Sequence, residues 1–176
     1  MGGMVLTARR DVFKLREVFT ISRGSRTEQA VVTVEIADGA AVGRGECTPY
    51  ARYGETVEGV IAEIQALDLT GLTRAALADR LPAGAARNAV DCALWDLEAK
   101  QTGKRVWDLA NLPAPGPLVT AFTLSLAEPE VMRAKAAENA HRPLLKVKLG
   151  GTGDIARIEA VRAGAPDAAI IVDANE

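Results

Sequence analysis

The chain has 176 residues, 48% hydrophobic and 25% charged, with 21 basic against 23 acidic side chains and a formal net charge of −2. That is a globular composition, long enough for one domain or two small ones to bury a core without disulfide or metal staples. No Lys/Arg block marks a nucleic-acid surface, no apolar window approaches about 18 residues, and residues 1–11 lack the sections of a signal peptide, so a cytoplasmic protein with neither nucleic acid nor membrane as partner is expected.

From Val5 to about Glu46 the pattern is β-like: Val12 to Leu15, Gln29 to Ile36, a turn at Asp38-Gly39, then Ala41 to Glu46. This predicts an antiparallel meander. Ser22-Arg23-Gly24-Ser25-Arg26 and Cys47-Thr48-Pro49-Tyr50-Ala51-Arg52-Tyr53-Gly54 read as loops by their Gly, Pro and Ser content. Thr56 caps a predicted helix carrying Val57, Val60, Ile61 and Ile64 at helical spacing, and a second fits Leu72 to Arg80. The clearest helix runs from Ala85 to Thr102, with Ala86, Ala89, Val90, Ala93, Leu94 and Leu97 on one stripe and Gly103 as its stop. Trp95 and Trp107 are read as packing residues. Cys47 and Cys92 lack metal-ligand spacing and are read as buried free thiols.

Three prolines between Pro113 and Pro117 interrupt every regular pattern, which places a domain boundary there. Beyond it the order is strand (Val119 to Leu126), helix (Pro129 to Asn139), strand (Leu144 to Leu149), helix (Asp154 to Ala163) and strand (Ala169 to Ala174). Such alternation implies parallel strands with crossover helices. The expected class is therefore α/β: an α+β capping domain over residues 1–115, then the first three strands of a (β/α) barrel over residues 116–176, with the barrel incomplete.

Lys146 and Lys148 stand two apart on a strand otherwise made of Leu145, Val147 and Leu149, so both lysines share one face. If helices cover the apolar face, the lysines enter a barrel interior, where neighbouring ammonium groups favour a general base. Taken alone, Lys-x-Lys also fits a solvated strand face. One strand later Ala169-Ile170-Ile171-Val172 ends in Asp173-Ala174-Asn175-Glu176, which puts Asp173 and Asn175 on a common face. Such oxygens suit a hard cation, Mg²⁺ above all, although a strand-end carboxylate can equally cap the next helix. His141, in a loop before a strand, is read as a surface residue.

Lys146-Val147-Lys148 with Asp173-Ala174-Asn175, preceded by Gly45-Glu46-Cys47-Thr48-Pro49-Tyr50, resembles the enolase superfamily in its muconate-lactonizing subgroup. Arg23-Gly24-Ser25-Arg26, Arg52-Tyr53-Gly54-Glu55, the run from Pro82 to Ala89 and the run from Asp91 to Leu97 are similar to dipeptide epimerases of the L-Ala-D/L-Glu type. The resemblance implies abstraction of the α-proton from the C-terminal residue of a dipeptide, an enediolate, and return of the proton to the opposite face. It implies Lys148 as acid/base, Lys146 as its electrostatic supporter, Asp173 as a ligand of Mg²⁺ and Asn175 in support. It further implies Arg23 against a substrate carboxylate, with Tyr50, Tyr53 and Thr123 shaping the pocket, in peptidoglycan peptide metabolism.

A full barrel needs about 250 residues, so the chain reads as stopping after the third barrel strand and is expected to be inactive alone. The resemblance leaves the dipeptide range and the choice between monomer and homo-oligomer open. Competing readings are a cycloisomerase or an o-succinylbenzoate synthase-like enzyme of the same subgroup, or a non-catalytic fragment that self-associates through exposed strand edges.

Overall fold

The structure, a computed structural model, describes residues 3–174. Asn175, assigned a supporting role from sequence, lies outside them. The chain divides into two compact units: residues up to Phe13 with Glu28–Pro115, and Lys14–Thr27 with the residues from Gly116 onward. No helix among the described residues is long and apolar enough to cross a membrane.

In the first unit, parts of β1 (Val5–Ile21) and β2 (Gly24–Asp38) join β3 (Ala41–Cys47) in a sheet of order β1-β2-β3. β2 and β3 run antiparallel from Val32 opposite Cys47 to Asp38 opposite Ala41, and Gly39 takes the positive φ of 60° that their tight turn requires. Alternation sorts β2 cleanly. Val32, Val34 and Ile36 are fully buried, while Thr33 and Glu35 between them remain partly exposed.

The buried face meets α1 (Val57–Gln65), α2 (Arg74–Arg80) and α3 (Ala85–Thr102) in one apolar cluster. Thr56 and Thr73 cap the first two through side-chain oxygens that accept from Gly59 N at 3.0 Å and Ala76 N at 3.1 Å. The third lies directly on β3, where Gly43 and Gly45 face its alanine stripe. A Cβ on Gly45 would collide with the Ala89 carbonyl oxygen, and one on Gly43 with the Ala93 carbonyl oxygen and Leu97. The bare strand and the small helical residues thus allow backbone-to-backbone approach.

Polar groups complete the contact. Asp96 Oδ2 accepts from Arg44 N at 2.7 Å and from Lys100 Nζ at 2.6 Å, and Lys100 Nζ also donates to Val42 O at 2.7 Å. Partial burial raises the Asp96 pKa, but the Lys100 and Arg44 hydrogen bonds outweigh it and hold the carboxyl below its ordinary 3.8. Trp95 carries the Arg74 guanidinium 3.4 Å from its ring centroid, with Glu98 2.7 Å from Arg74 Nε, in keeping with a packing role.

In the second unit, β4 (Phe122–Leu124), β5 (Leu144–Lys148) and β6 (Ala169–Asp173) form a parallel sheet in that order. Between them run α5 (Pro129–Glu138) and α6 (Asp154–Gly164). Leu124, Leu145 and Val147 cluster with Met132 and Ala136 of α5 and Val161 of α6, so both helices cover one face. This is the opening arrangement of a (β/α) barrel, preceded in the chain by a unit built on an antiparallel sheet, and it matches the expected class.

Several details differ from the sequence pattern. Ser22-Arg23 forms a two-residue turn between long strands rather than a wide loop, and β4 is three residues long because Leu118 and Val119 stay exposed. A short helix, α4 (Val106–Leu109), lies in a stretch for which no element is predicted, and a 3-10 turn at Ala51–Tyr53 occupies one read as a loop. Cys47 is buried, which pushes its thiol up to about 11, whereas Cys92 is exposed, because the packed stripe of α3 passes through Ala89 and Ala93 and leaves position 92 outside it.

Gly45→Ala should therefore cost about 1–3 kcal/mol of folding free energy by forcing α3 away from β3. Thermal unfolding followed by circular dichroism checks this: Tm falls by several degrees if the approach is as close as described, and stays unchanged if the helix can shift freely.

Candidate active site

Helix burial fixes the site's orientation. With Leu145 and Val147 fully buried under α5 and α6, the alternate residues Lys146 and Lys148 face the side of the sheet opposite those helices. Parallel register sets Thr123 and Ile171 beside Lys146, and Asp173 beside Lys148. Lys146, Lys148 and Asp173 meet there: both ammonium groups reach one oxygen, with Lys146 Nζ 2.8 Å and Lys148 Nζ 2.7 Å from Asp173 Oδ2. Lys148 is the most enclosed of the three, its side chain 13% exposed against 35% for Lys146 and 26% for Asp173. The sequence pattern expects Asp173 at the strand end beside the lysines, and its carboxylate is the acceptor that joins them.

The strand ends are held by backbone and loop. Leu149 N donates to Asp173 O at 3.0 Å, which carries the β5–β6 pairing one residue past Lys148. Thereafter Gly150 N and Gly151 N donate to Asp154 Oδ1 and Oδ2 at 2.9 and 2.7 Å. These amides, the Gly150 bond foremost, together with Arg157 hold the Asp154 carboxyl below its ordinary 3.8 against the opposing effect of burial.

As a ligand set for Mg²⁺, the residues fit in part. Asp173 offers a hard carboxylate oxygen at the strand end, in the donor chemistry that ion prefers. Among the described residues no group of three or more His, Cys, Asp or Glu side chains could hold a metal.

The other sequence-derived positions are spread over both units. Thr123, half-buried on β4, also lines a cavity of about 210 Å³ with Val18, Thr20, Leu124 and Met132. Arg23 sits in the turn between β1 and β2, where Thr20 Oγ1 and Ser25 Oγ lie 2.8 Å apart across the hairpin. Tyr50 and Tyr53 belong to the first unit and pair with each other, their ring centroids 5.6 Å apart. His141 is exposed.

Glu55 belongs to a motif quoted from the sequence but carries no predicted role of its own. Its Oε1 accepts from Ala85 N at 2.7 Å, at the start of α3 where Gly84 brings no capping side chain, and its Oε2 accepts from Tyr50 N at 2.9 Å. One carboxylate thus caps a helix N-terminus and ties the Tyr50 loop to it. The missed signal was a helix opening on Gly84-Ala85 without a local cap. Glu55→Gln leaves a single acceptor oxygen for two amides, so it should cost about 1.5–3 kcal/mol and speed amide hydrogen exchange at Tyr50, Ala85 or both. Unchanged protection at both amides would contradict this role.

A family profile described as Mandelate racemase / muconate lactonizing enzyme, N-terminal domain, matches residues 4–110. An L-Ala-D/L-Glu epimerase from Escherichia coli (strain K12) is 44% identical over 171 residues, which cover 94% of this chain and 53% of that protein. Similar too is the crystal structure of an enolase family member from Agrobacterium tumefaciens with homology to dipeptide epimerases, with bound sodium and L-Ala-L-Glu. It is 56% identical with a TM-score of 0.93, over 98% of this chain and 54% of that one. A dipeptide epimerase from Enterococcus faecalis V583, complexed with Mg and L-Leu-L-Tyr, is 32% identical with a TM-score of 0.82, over 97% and 53% of the two chains. The chain spans about half the length of the curated relatives it matches.

Proposed function

Because this chain belongs to the mandelate racemase / muconate lactonizing enzyme family of the enolase superfamily, we propose that it carries the cap and first catalytic strands of a dipeptide epimerase acting on L-Ala-Glu. The observation that carries this reading is the convergence of Lys146, Lys148 and Asp173 on the face of the parallel sheet opposite α5 and α6. The E. coli relative named for L-Ala-D/L-Glu and the A. tumefaciens structure with L-Ala-L-Glu support the choice of dipeptide. A substrate of that composition points to peptides released from peptidoglycan.

Lys148 is the acid/base. Its ammonium is enclosed at the strand end, and as the free amine it would take the α-proton of the glutamyl residue from one face. Inversion requires that a proton return on the opposite face, so a second group must stand across the substrate. Lys146, one pleat repeat away on the same face, offsets the negative charge that builds on the substrate carboxylate. Asp173 would hold Mg²⁺, with Asn175 in a supporting role near it. The ion, when bound, supplies the Lewis-acid stabilisation that so weakly acidic a C–H bond needs. Arg23 would grip a substrate carboxylate with its guanidinium fork, while Tyr50, Tyr53 and Thr123 shape the pocket.

The test is solvent exchange by the full-length protein with L-Ala-L-Glu and Mg²⁺ in deuterium oxide. Lys148→Ala should abolish epimerisation and the exchange of the α-proton facing this lysine, and exchange at the parent rate would remove Lys148 from the mechanism. Arg23→Lys should raise KM about tenfold or more, since an ammonium cannot form the two parallel bonds. An unaltered KM would assign Arg23 to the hairpin turn alone.

A further inference from the structure

The loops that follow β4 and β5 are joined by one ion pair. Asp154, the first residue of α6, and Arg157, one turn on, are 3.0 Å apart (Oδ1 to Nη1), with side chains only 18% and 17% exposed. Each bonds backbone beyond its partner. Asp154 takes the Gly150 and Gly151 amides, and Arg157 donates from Nε to Ala127 O at 3.1 Å and from Nη1 to Thr152 O at 2.9 Å. Ala127 follows β4, the strand of Thr123, and Gly150 comes two residues after Lys148. Packing agrees with the hydrogen bonds, since a Cβ on Gly150 would stand 2.7 Å from Leu126 Cδ2. The two strand-end loops therefore lie against each other with a partly exposed charge pair as their tie.

We infer that Asp154 and Arg157 are positioning residues for the epimerase reaction, clamping the β4 and β5 strand-end loops so that Lys148 is held on its line to the α-carbon. The inference rests on the epimerase reading above. Its physical basis is that the Gly150-Gly151-Thr152-Gly153 segment has little stiffness of its own, with Gly151 and Gly153 at φ values of 101° and 87°. Backbone pairing of β5 with β6 reaches Leu149, and beyond it the segment is held by side chains. Asp154 supplies two of those bonds, Arg157 adds one to Thr152 O, and Arg157 anchors them to the neighbouring strand's loop. Neither side chain has to touch substrate.

The readout uses the two faces of the reaction. A displaced Lys148 slows removal of the α-proton that faces it, whereas the group across the substrate still works on the other epimer. In deuterium oxide, with full-length protein and Mg²⁺, Asp154→Asn should slow deuterium uptake from the epimer served by Lys148 by about 10- to 100-fold, while uptake from the other epimer changes less than about threefold. Lys148→Ala identifies which epimer that is. Arg157→Lys keeps the charge but cannot bridge Asp154 and Ala127 together, and it should show the same asymmetry; it carries the comparison if Asp154→Asn does not fold. Equal loss for both epimers, or no loss for either, would overturn the positioning role. No exchange by the unaltered protein with either L-Ala-L-Glu or L-Ala-D-Glu would overturn the epimerase reading itself and this inference with it, an outcome distinct from a symmetric loss in the variants.

Discussion

A strand whose aliphatic side chains are sealed beneath helices has only one face left for everything else it carries. Leu145 and Val147 are fully buried against α5 and α6, and that burial commits Lys146 and Lys148 to the opposite side. A slip of one residue would drive both ammonium groups under the helices, at a cost of several kcal/mol each. The register of β5 is therefore fixed by its hydrophobic side, and its polar side inherits that precision. β6 then needs only to pair in parallel for Asp173 to arrive beside Lys148. The chemistry of the site follows from where leucine and valine must go.

The same economy explains what could be read from the chain before its structure. α3 runs from Ala85 to Thr102 as its stripe of small and aliphatic residues predicts, because that stripe meets the buried sheet along its whole length. β5 was legible for the reason just given. The length of β1 was not, since its residues from Arg9 to Arg16 are mostly exposed and charged and show no sustained alternation. Nor did the sequence forecast how short β4 is, since Leu118 and Val119 look apolar enough for a strand and lie in the open.

Long-range polar contacts were the other gap. Glu55 and Ala85 are separated by 30 residues, as are Ala127 and Arg157, and nothing in the local spacing of either pair announces the contact. Lys146, Lys148 and Asp173 could be placed together because two adjacent parallel strands carry them at matching positions, a relation that pattern alone can express. The meeting of both ammonium groups on a single oxygen could not, since it depends on side-chain conformation. Positions named from motif likeness, Arg23, Tyr50 and Tyr53, rest on loops whose course propensity does not dictate.

The glycines of β3 have one more effect. Since α3 lies so near that strand, an aspartate as short as Asp96 reaches the Arg44 amide and Lys100 reaches the Val42 carbonyl. β3 is the last strand of its sheet, with β2 on one flank only. Its outward backbone groups would otherwise be a template on which a strand from another molecule could add. The helix's own side chains occupy two of those groups and lay a charged pair along the rim. The residues that let the core close thus also guard the protein against aggregation, and a larger side chain at position 43 or 45 would weaken both at once.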